Sequence, residues 1–248
     1  MSLARFVGET LQLIWPARCA ACDASIPDAA TFCDDCAAAL SPLVGACPGC
    51  ALPQDTVVAG ERRCRTCRRV PFPFASGEAV FEYGESIARA IVRMKHGGRR
   101  DLGKRLARLL APALAALFAR AAFGPDDVVM PVPLHPLKLR ARGFNQASEM
   151  ARAALRIARA SRRAAPRYER ALLLRTRPTR ELGHSGPAAR LAEVAGAFAV
   201  RDAARVRGRR VVVIDDVFTT GATFSECAGA LRAAGAAAVH VLALARAV

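Results

Sequence analysis

The stretch that decides the fold runs Val211-Val-Val-Ile-Asp-Asp-Val-Phe-Thr-Thr-Gly-Ala-Thr223. Four consecutive β-formers predict a buried strand, two carboxylates stand at its C-terminal end, and a short Thr/Gly loop opens a helix. Strand, acid pair and phosphate-sized loop in that order describe a site for a sugar phosphate. Backbone N–H groups of Thr219, Thr220, Gly221, Ala222 and Thr223 at a helix N-terminus can point at a phosphate, and Gly221 lets the chain curl without a Cβ penalty. Asp215 and Asp216 can accept hydrogen bonds from the vicinal hydroxyls of a ribose.

Upstream of this stretch, strand and helix patterns alternate. Glu78 to Tyr83 and Val128 to Val132 read as strands, and Ser86 to His96, Leu102 to Ala122 and Ala147 to Ala160 read as helices with apolar residues three and four apart. Such alternation predicts an α/β fold with a mostly parallel sheet flanked by helices, whose ligands gather at the C-terminal ends of the strands. The segment between Pro133 and Gln146 reads as an irregular loop that can meet the 215–223 loop over one sheet edge. Lys138, Arg140 and Arg142 put three cations within five residues there. Gly143 permits close backbone approach, and Asn145 and Gln146 offer side-chain donors, a set suited to a pyrophosphate. Pro71-Phe-Pro-Phe74 reads as a linker or an extended edge. His240 lies in an apolar run and reads as a core or edge residue. His96 and His135 lie within reach of phosphate, and His184 reads as a solvated loop residue. The pattern holds no catalytic triad, P-loop or His-based metal cluster.

Eight of the nine cysteines form four Cys-x-x-Cys pairs, Cys19/Cys22, Cys33/Cys36, Cys47/Cys50 and Cys64/Cys67. A two-residue spacer lets two thiolates grip one tetrahedral metal, and two such knuckles complete a four-thiolate site. Eight ligands therefore predict two structural Zn²⁺, with sequential pairing (the first pair with the second, the third with the fourth) favoured over interleaved pairing. Disulfides and redox chemistry are the alternatives, and both fit badly with four closely spaced pairs in a chain that shows no export signal. So little chain separates the pairs that metal must supply much of the folding energy of a module over residues 1–70. Residues 71–248 form the second expected domain. Cys227 shares a helical face with Phe224 and Leu231 and reads as a small core residue.

The formal charge is +16, from 37 basic and 21 acidic residues, and only three of the basic residues are lysine. Residues 1–70 carry seven of each sign, so the whole excess lies in 71–248, where any phosphate-rich ligand must bind. Arg62, Arg63, Arg65, Arg68 and Arg69 form a local basic cluster at the last knuckle. No apolar run is long enough to span a bilayer. Met1 to Pro16 reads as a short amphipathic helix packed on its own protein, not as a signal peptide, and the expected location is the cytoplasm.

The 211–223 string resembles the motif that binds phosphoribosyl pyrophosphate (PRPP) in type I phosphoribosyltransferases. Together with Val129-Met-Pro-Val-Pro-Leu-His135, Met94-Lys-His-Gly-Gly98, Arg142-Gly-Phe-Asn-Gln146 and the four cysteine pairs, the chain resembles the ComF family over nearly its whole length. Those bacterial proteins join a zinc ribbon to a phosphoribosyltransferase domain and are associated with natural competence. The resemblance implies a type I phosphoribosyltransferase fold that binds PRPP with Mg²⁺. It puts Arg142, Gly143, Asn145 and Gln146 in the pyrophosphate loop and makes Arg175 to Gly196 a mobile lid that includes Thr179 and Arg190. The lid departs from the family pattern in having Leu182 in place of Gln and Glu193 in place of Asn. Ser2, where glutamine-dependent relatives need a nucleophilic cysteine, argues against amidotransfer. Thr219, where 6-oxopurine salvage enzymes place an Asp, argues against hypoxanthine or guanine as acceptor. The expected function is phosphoribosyl transfer in DNA uptake during transformation, with single-stranded DNA and an uptake helicase or pore protein as further partners. The alternative is a non-catalytic adaptor that binds single-stranded DNA on the same fold.

Overall fold

The computed structural model describes residues 17–27, 30–54, 63–69, 71–160, 165–180 and 187–247. The expected N-terminal helix, Arg62, Leu182 and His184 lie outside the described residues. Five parallel strands form the central sheet: β1 (Ser76–Glu82), β2 (Val128–Pro131), β3 (Arg167–Tyr168), β6 (Arg210–Phe218) and β7 (Ala238–Arg246), in the order β1-β7-β6-β2-β3. A separate antiparallel pair, β4 (Leu173–Arg175) and β5 (Phe198–Val200), stands beside it, and two short helices, α1 (Asp34–Ala38) and α2 (Arg65–Arg69), lie among the cysteine pairs.

Side-chain alternation along β6 sorts the core into two layers. Val212 and Ile214 join Val129, Leu242 and Leu244 in the layer covered by helices α3 (Glu85–His96), α4 (Arg100–Arg120) and α6 (Gln146–Arg159). Val211 and Val213 join Met130 and Val241 in the other layer, under α8 (Ala222–Ala233) and the β4–β5 pair. Cys227 is fully buried there between Phe224 and Leu231, as its helical spacing predicts. β6 runs nine residues and so carries both carboxylates inside the strand.

The segment between Pro133 and Gln146 is a correction to the sequence reading, because most of it is helical. Helix α5 (Pro136–Arg142) starts with Pro136 at N1, where the missing N–H costs nothing, and His135 caps it through Nδ1, which accepts from Leu137 N at 3.3 Å. Gly143 ends it at φ 78°, in the left-handed region that favours glycine. The capping chemistry lay in the Pro and Gly that made the segment look irregular.

The cysteine pairs are not a separate appendage. Ile26 and Phe32 of the first ribbon enter the α4–α6 layer, and Cys47, Cys50 and Cys67 of the second enter the α8 layer beside Phe74 and Phe218. The second ribbon also covers the β1 edge: Leu43 N donates to Val80 O and Glu82 N to Ser41 O, both at 2.9 Å, and Gly77 N donates to Pro48 O at 3.0 Å. An uncovered β1 would present unpaired N–H and C=O groups to another chain. Phe72 and Phe74 are no linker, since they stack at 4.8 Å and both lean on Phe218. Among the described residues no helix is long and apolar enough to cross a membrane.

Candidate functional site

A cavity of about 260 Å³ opens over the C-terminal end of β6. Strand alternation breaks at its floor: Ile214 and Val217, three apart, join one layer while Phe218 joins the other. This rotation brings Asp215 and Asp216 into the same cavity, although successive side chains of a regular strand face opposite ways. Asp216 is only 3% exposed and forms an ion pair with Lys95 of α3. Asp215 Oδ1 accepts from Asp216 N at 2.9 Å.

Two buried carboxylates side by side cannot ionise with equal ease. Burial, and then the charge of Asp216, holds the Asp215 carboxyl well above the usual carboxylate range. Burial pushes Asp216 the same way, but the Lys95 ammonium outweighs it and the net shift is downward. For Lys95 burial acts to lower the pKa and Asp216 overcomes it, so the ammonium is held above the ordinary lysine range. The resulting site has one firmly ionised acid tied to a cation and a second acid poised to hold a proton or to accept from a ligand hydroxyl.

The turn after β6 forms the next wall. Gly221 has φ 85° and caps α8, and a Cβ there would meet the Phe72 ring at 2.8 Å. Neither the conformation nor the space admits a side chain. Thr219, Thr220, Ala222 and Thr223 line the cavity, with Ala222 N donating to Thr220 Oγ1 at 3.4 Å. Opposite them, α5 contributes Lys138 and Arg142, and Arg142 donates to Gln146 Oε1 at 2.8 Å. Gly143 and Asn145 do not reach this cavity; they line an adjoining one of about 420 Å³. Asn145 is engaged locally, donating to Val132 O at 2.9 Å and accepting from Ser148 N at 3.3 Å as the cap of α6.

The segment from 175 onward closes the third side. Arg175 at the end of β4 is hydrogen bonded to Thr179, lies over the Phe198 ring at 5.3 Å, and lines both cavities. Helix α7 (Pro187–Val194) adds Arg190, Glu193 and Val194 to the lining. Glu193 ties the two arms of the segment together: its Oε1 accepts from Arg180 N and its carbonyl from Arg177, both at 2.7 Å. The acidic side chain where the ComF pattern has Asn thus still acts as a hydrogen-bond acceptor.

Cys19, Cys22, Cys33 and Cys36 form one cluster, and Cys47, Cys50, Cys64 and Cys67 the other, with the sulfurs of each within 4.8 Å of one another. Tetrahedral zinc with Zn–S bonds of about 2.3 Å sets its sulfurs about 3.8 Å apart, and Cys22–Cys33 and Cys50–Cys64 stand at 3.6 Å. The two clusters repeat one geometry. The third cysteine's amide donates to the first cysteine's sulfur, Cys33 N to Cys19 at 3.3 Å and Cys64 N to Cys47 at 3.2 Å. The residue after each first pair has positive φ, Asp23 at 68° and Ala51 at 56°. Burial acts to raise Cys19 and Cys47, yet surrounding amide donors outweigh it and bring them down to about 6 and about 7. Burial and neighbouring sulfurs push Cys36 up to about 12. A divalent cation is the partner that lets four such sulfurs be thiolates together, so the donor sets fit structural zinc.

The sequence reading did not single out Lys95. A signal was there to be read: in a chain whose 37 cations include only three lysines, Lys95 and Lys138 both line this cavity.

Acid pair, threonine turn and facing cations above a parallel sheet, joined to paired four-cysteine knuckles, define an α/β protein with a double zinc-ribbon module. The double zinc ribbon domain family matches residues 10–68. The chain is 31% identical over 218 residues to the DNA utilization protein YhgH of Escherichia coli K12, covering 87% of this chain and 90% of that protein. It is 30% identical over 220 residues to YhgH of Salmonella typhi. The chain belongs to the ComF/YhgH family. Hypoxanthine-guanine phosphoribosyltransferase of L. donovani overlaps 58% of this chain and 71% of its own with a TM-score of 0.33 and 13% identity, a likeness too weak to carry an argument.

Proposed function

We propose that this protein binds PRPP together with Mg²⁺ and acts as a phosphoribosyltransferase. The observation that carries the reading is convergence: the carboxylates, the amide-rich turn and the cations Lys138, Arg142 and Arg175 come from separate chain segments yet line one cavity. Asp215, and Asp216 held by Lys95, accept the ribose hydroxyls. The Thr219–Thr223 amides and hydroxyls take the 5′-phosphate. In transfer, the bond from C1′ to the pyrophosphate oxygen breaks, its electron pair leaves with pyrophosphate, and an acceptor's lone pair forms the new bond to C1′. Lys138, Arg142 and Arg175 stabilise the departing charge. Mg²⁺ neutralises pyrophosphate oxygens when PRPP is bound. In this reading two structural zinc ions hold the ribbons, residues 1–70 are the ribbon module and 71–248 the transferase, and the protein works in the cytoplasm.

Calorimetry with PRPP and Mg²⁺ tests the site. Asp215→Ala removes the acceptor whether or not it carries a proton and leaves the Lys95–Asp216 pair intact. Loss of its hydrogen bond to a ribose hydroxyl should weaken binding severalfold to about tenfold. Wild-type affinity in Asp215→Ala, or in Asp215→Ala with Asp216→Ala, would refute the assignment.

A second reading, a single-stranded DNA-binding adaptor, is favoured by one feature. Lys104 of α4 and Arg152, Arg156 and Arg159 of α6 line a groove of about 340 Å³ together with Tyr168 and one acid, Glu149, which pairs with Arg152 at 3.8 Å. A cationic groove with an aromatic side chain suits a single strand. The relatives' name ties that family to DNA use, and an uptake helicase or pore protein is the partner class this reading implies.

A further inference from the structure

Arg246 stands at the last position of β7, only 8% exposed, where a charged residue is costly to bury without partners. Its guanidinium reaches two structures at once. On one side Nη1 donates to Phe218 O at 3.1 Å and to Thr219 O at 2.5 Å, and the plane lies over the Phe218 ring at 4.9 Å. Phe218 O takes the last ladder bond as well, from Ala247 N at 2.9 Å, and Thr219 O lies beyond the ladder, at the entry to the Thr219–Thr223 turn. On the other side Nε donates to Cys50 O at 2.9 Å, inside the first knuckle of the second ribbon.

That knuckle is held in a demanding shape. Cys47 O accepts from Cys50 N at 3.3 Å and from Ala51 N at 2.8 Å, and Ala51 sits in the left-handed region at φ 56°. An alanine keeps such a conformation only where its surroundings impose it. Cys47 and Cys50 gripped by one tetrahedral ion would do so, and the direction of the Cys50 carbonyl then follows. The first ribbon is held differently: there Cys19 O, the counterpart of Cys47 O, accepts from Arg93 of α3 at 3.0 Å.

We infer that the second four-cysteine cluster is a structural support of the Thr219–Thr223 turn, transmitted by Arg246 as a positioning residue. Its functional meaning rests on the reading of that turn as a phosphate cradle, whereas its structural content rests on the geometry of Arg246 alone. Metal at the second cluster fixes the Cys50 carbonyl, that carbonyl anchors the Nε side of the guanidinium, and the Nη1 side fixes the carbonyls from which the turn departs. The first cluster's path among the described residues leads instead to α3, where Arg93 stands two residues from Lys95.

Hydrogen–deuterium exchange on the full-length, metal-loaded chain tests this without relying on any ligand. Arg246→Met should raise exchange of the Ala247 and Ser225 amides, which donate to Phe218 O and Gly221 O at the two ends of the turn, about tenfold or more, while the amides of 211–214 stay protected and both metal ions stay bound. Cys64→Ser should loosen the same turn, and Cys22→Ser should not. Arg246→Lys keeps the charge and most of the stem but cannot span both sides, so it should give an intermediate increase and serves if the Met variant fails to fold. Wild-type turn exchange in Arg246→Lys, or equal loosening by Cys22→Ser and Cys64→Ser, would overturn the inference. A wild-type chain that fails to bind PRPP would sink the proposed function, and the exchange contrast would still decide this inference.

Discussion

Replacing Lys95 by Met removes the ammonium from Asp216 and leaves most of the aliphatic stem in place. The Lys95 side chain is 24% exposed and that of Asp216 4%, so the pair is largely but not wholly withdrawn from water. Breaking a buried pair by removing one partner costs about 3–5 kcal/mol, and residual solvent at Lys95 puts the expected loss near the lower figure, about 3 kcal/mol at neutral pH. The loss should depend on pH in a defined direction. Asp216 has a depressed pKa, so its contribution is present above the usual carboxylate range and fades as pH falls through its folded value. Lys95 has a raised pKa, so its contribution is present below the ordinary lysine range and fades as pH rises through its folded value. Between those limits the pair stabilises in full. Asp215 runs the other way: its raised pKa favours folding at low pH, and that contribution is lost as pH rises from the carboxylate range through its folded value.

In Lys95→Met, Asp216 keeps its burial and its acidic neighbour but loses the cation, so its carboxyl moves upward. The difference between wild type and variant should therefore be about 3 kcal/mol at about pH 8 and shrink as pH falls toward the carboxylate range, because the variant's Asp216 takes up a proton first. Urea unfolding of the metal-loaded protein followed by far-ultraviolet circular dichroism measures both. Equal stability of the two proteins at pH 8, or a difference that grows toward acid, would show that Asp216 is not held ionised by Lys95.

The core of this fold was legible because parallel strands write themselves plainly. Val211–Ile214 and Val128–Val132 are buried on both faces and so form continuous apolar runs. Paired cysteines were equally plain, since the two-residue spacing is itself the geometry of a metal knuckle, and the clusters join the first pair to the second and the third to the fourth. Where the structure departs from the sequence reading, local signals had two meanings. Pro136 and Gly143 mark an irregular loop and also the first and last positions of a short helix, and the seven residues of that helix are too few for periodicity to decide. Lys95 was hidden for a different reason. It lies on α3, far in sequence from Asp216, and only the packing of that helix on the end of the sheet brings the charges together. Phe72, Phe74 and Arg246 escaped for the same reason: each acts on the 219–223 turn through long-range packing that no short motif encodes.

Gly221→Ala should destabilise the protein by about 2–4 kcal/mol, because a left-handed alanine costs about 1–2 kcal/mol and the Cβ presses on Phe72; thermal unfolding reads it, and an unchanged midpoint would show that the turn has room for a side chain. Metal analysis should find two zinc ions per chain, still two in Cys227→Ser, whose thiol is buried in the α8 layer and belongs to neither cluster; one zinc or none in folded protein would sink the two-cluster reading. The last prediction concerns the groove between α4 and α6. If single-stranded DNA binds there, its affinity falls with salt at a slope of about −0.7 for each phosphate neutralised. Arg152→Gln, Arg156→Gln and Arg159→Gln together remove three such cations from one helix face without touching the acid cavity, so the slope should become shallower by about 2. PRPP binding should stay as it was, because none of the three lines that cavity. A triple variant that keeps the full wild-type salt slope would place the DNA contact elsewhere, with the Arg63–Arg69 cluster of the second ribbon next in line, since those arginines lie on a segment that the groove substitutions leave intact.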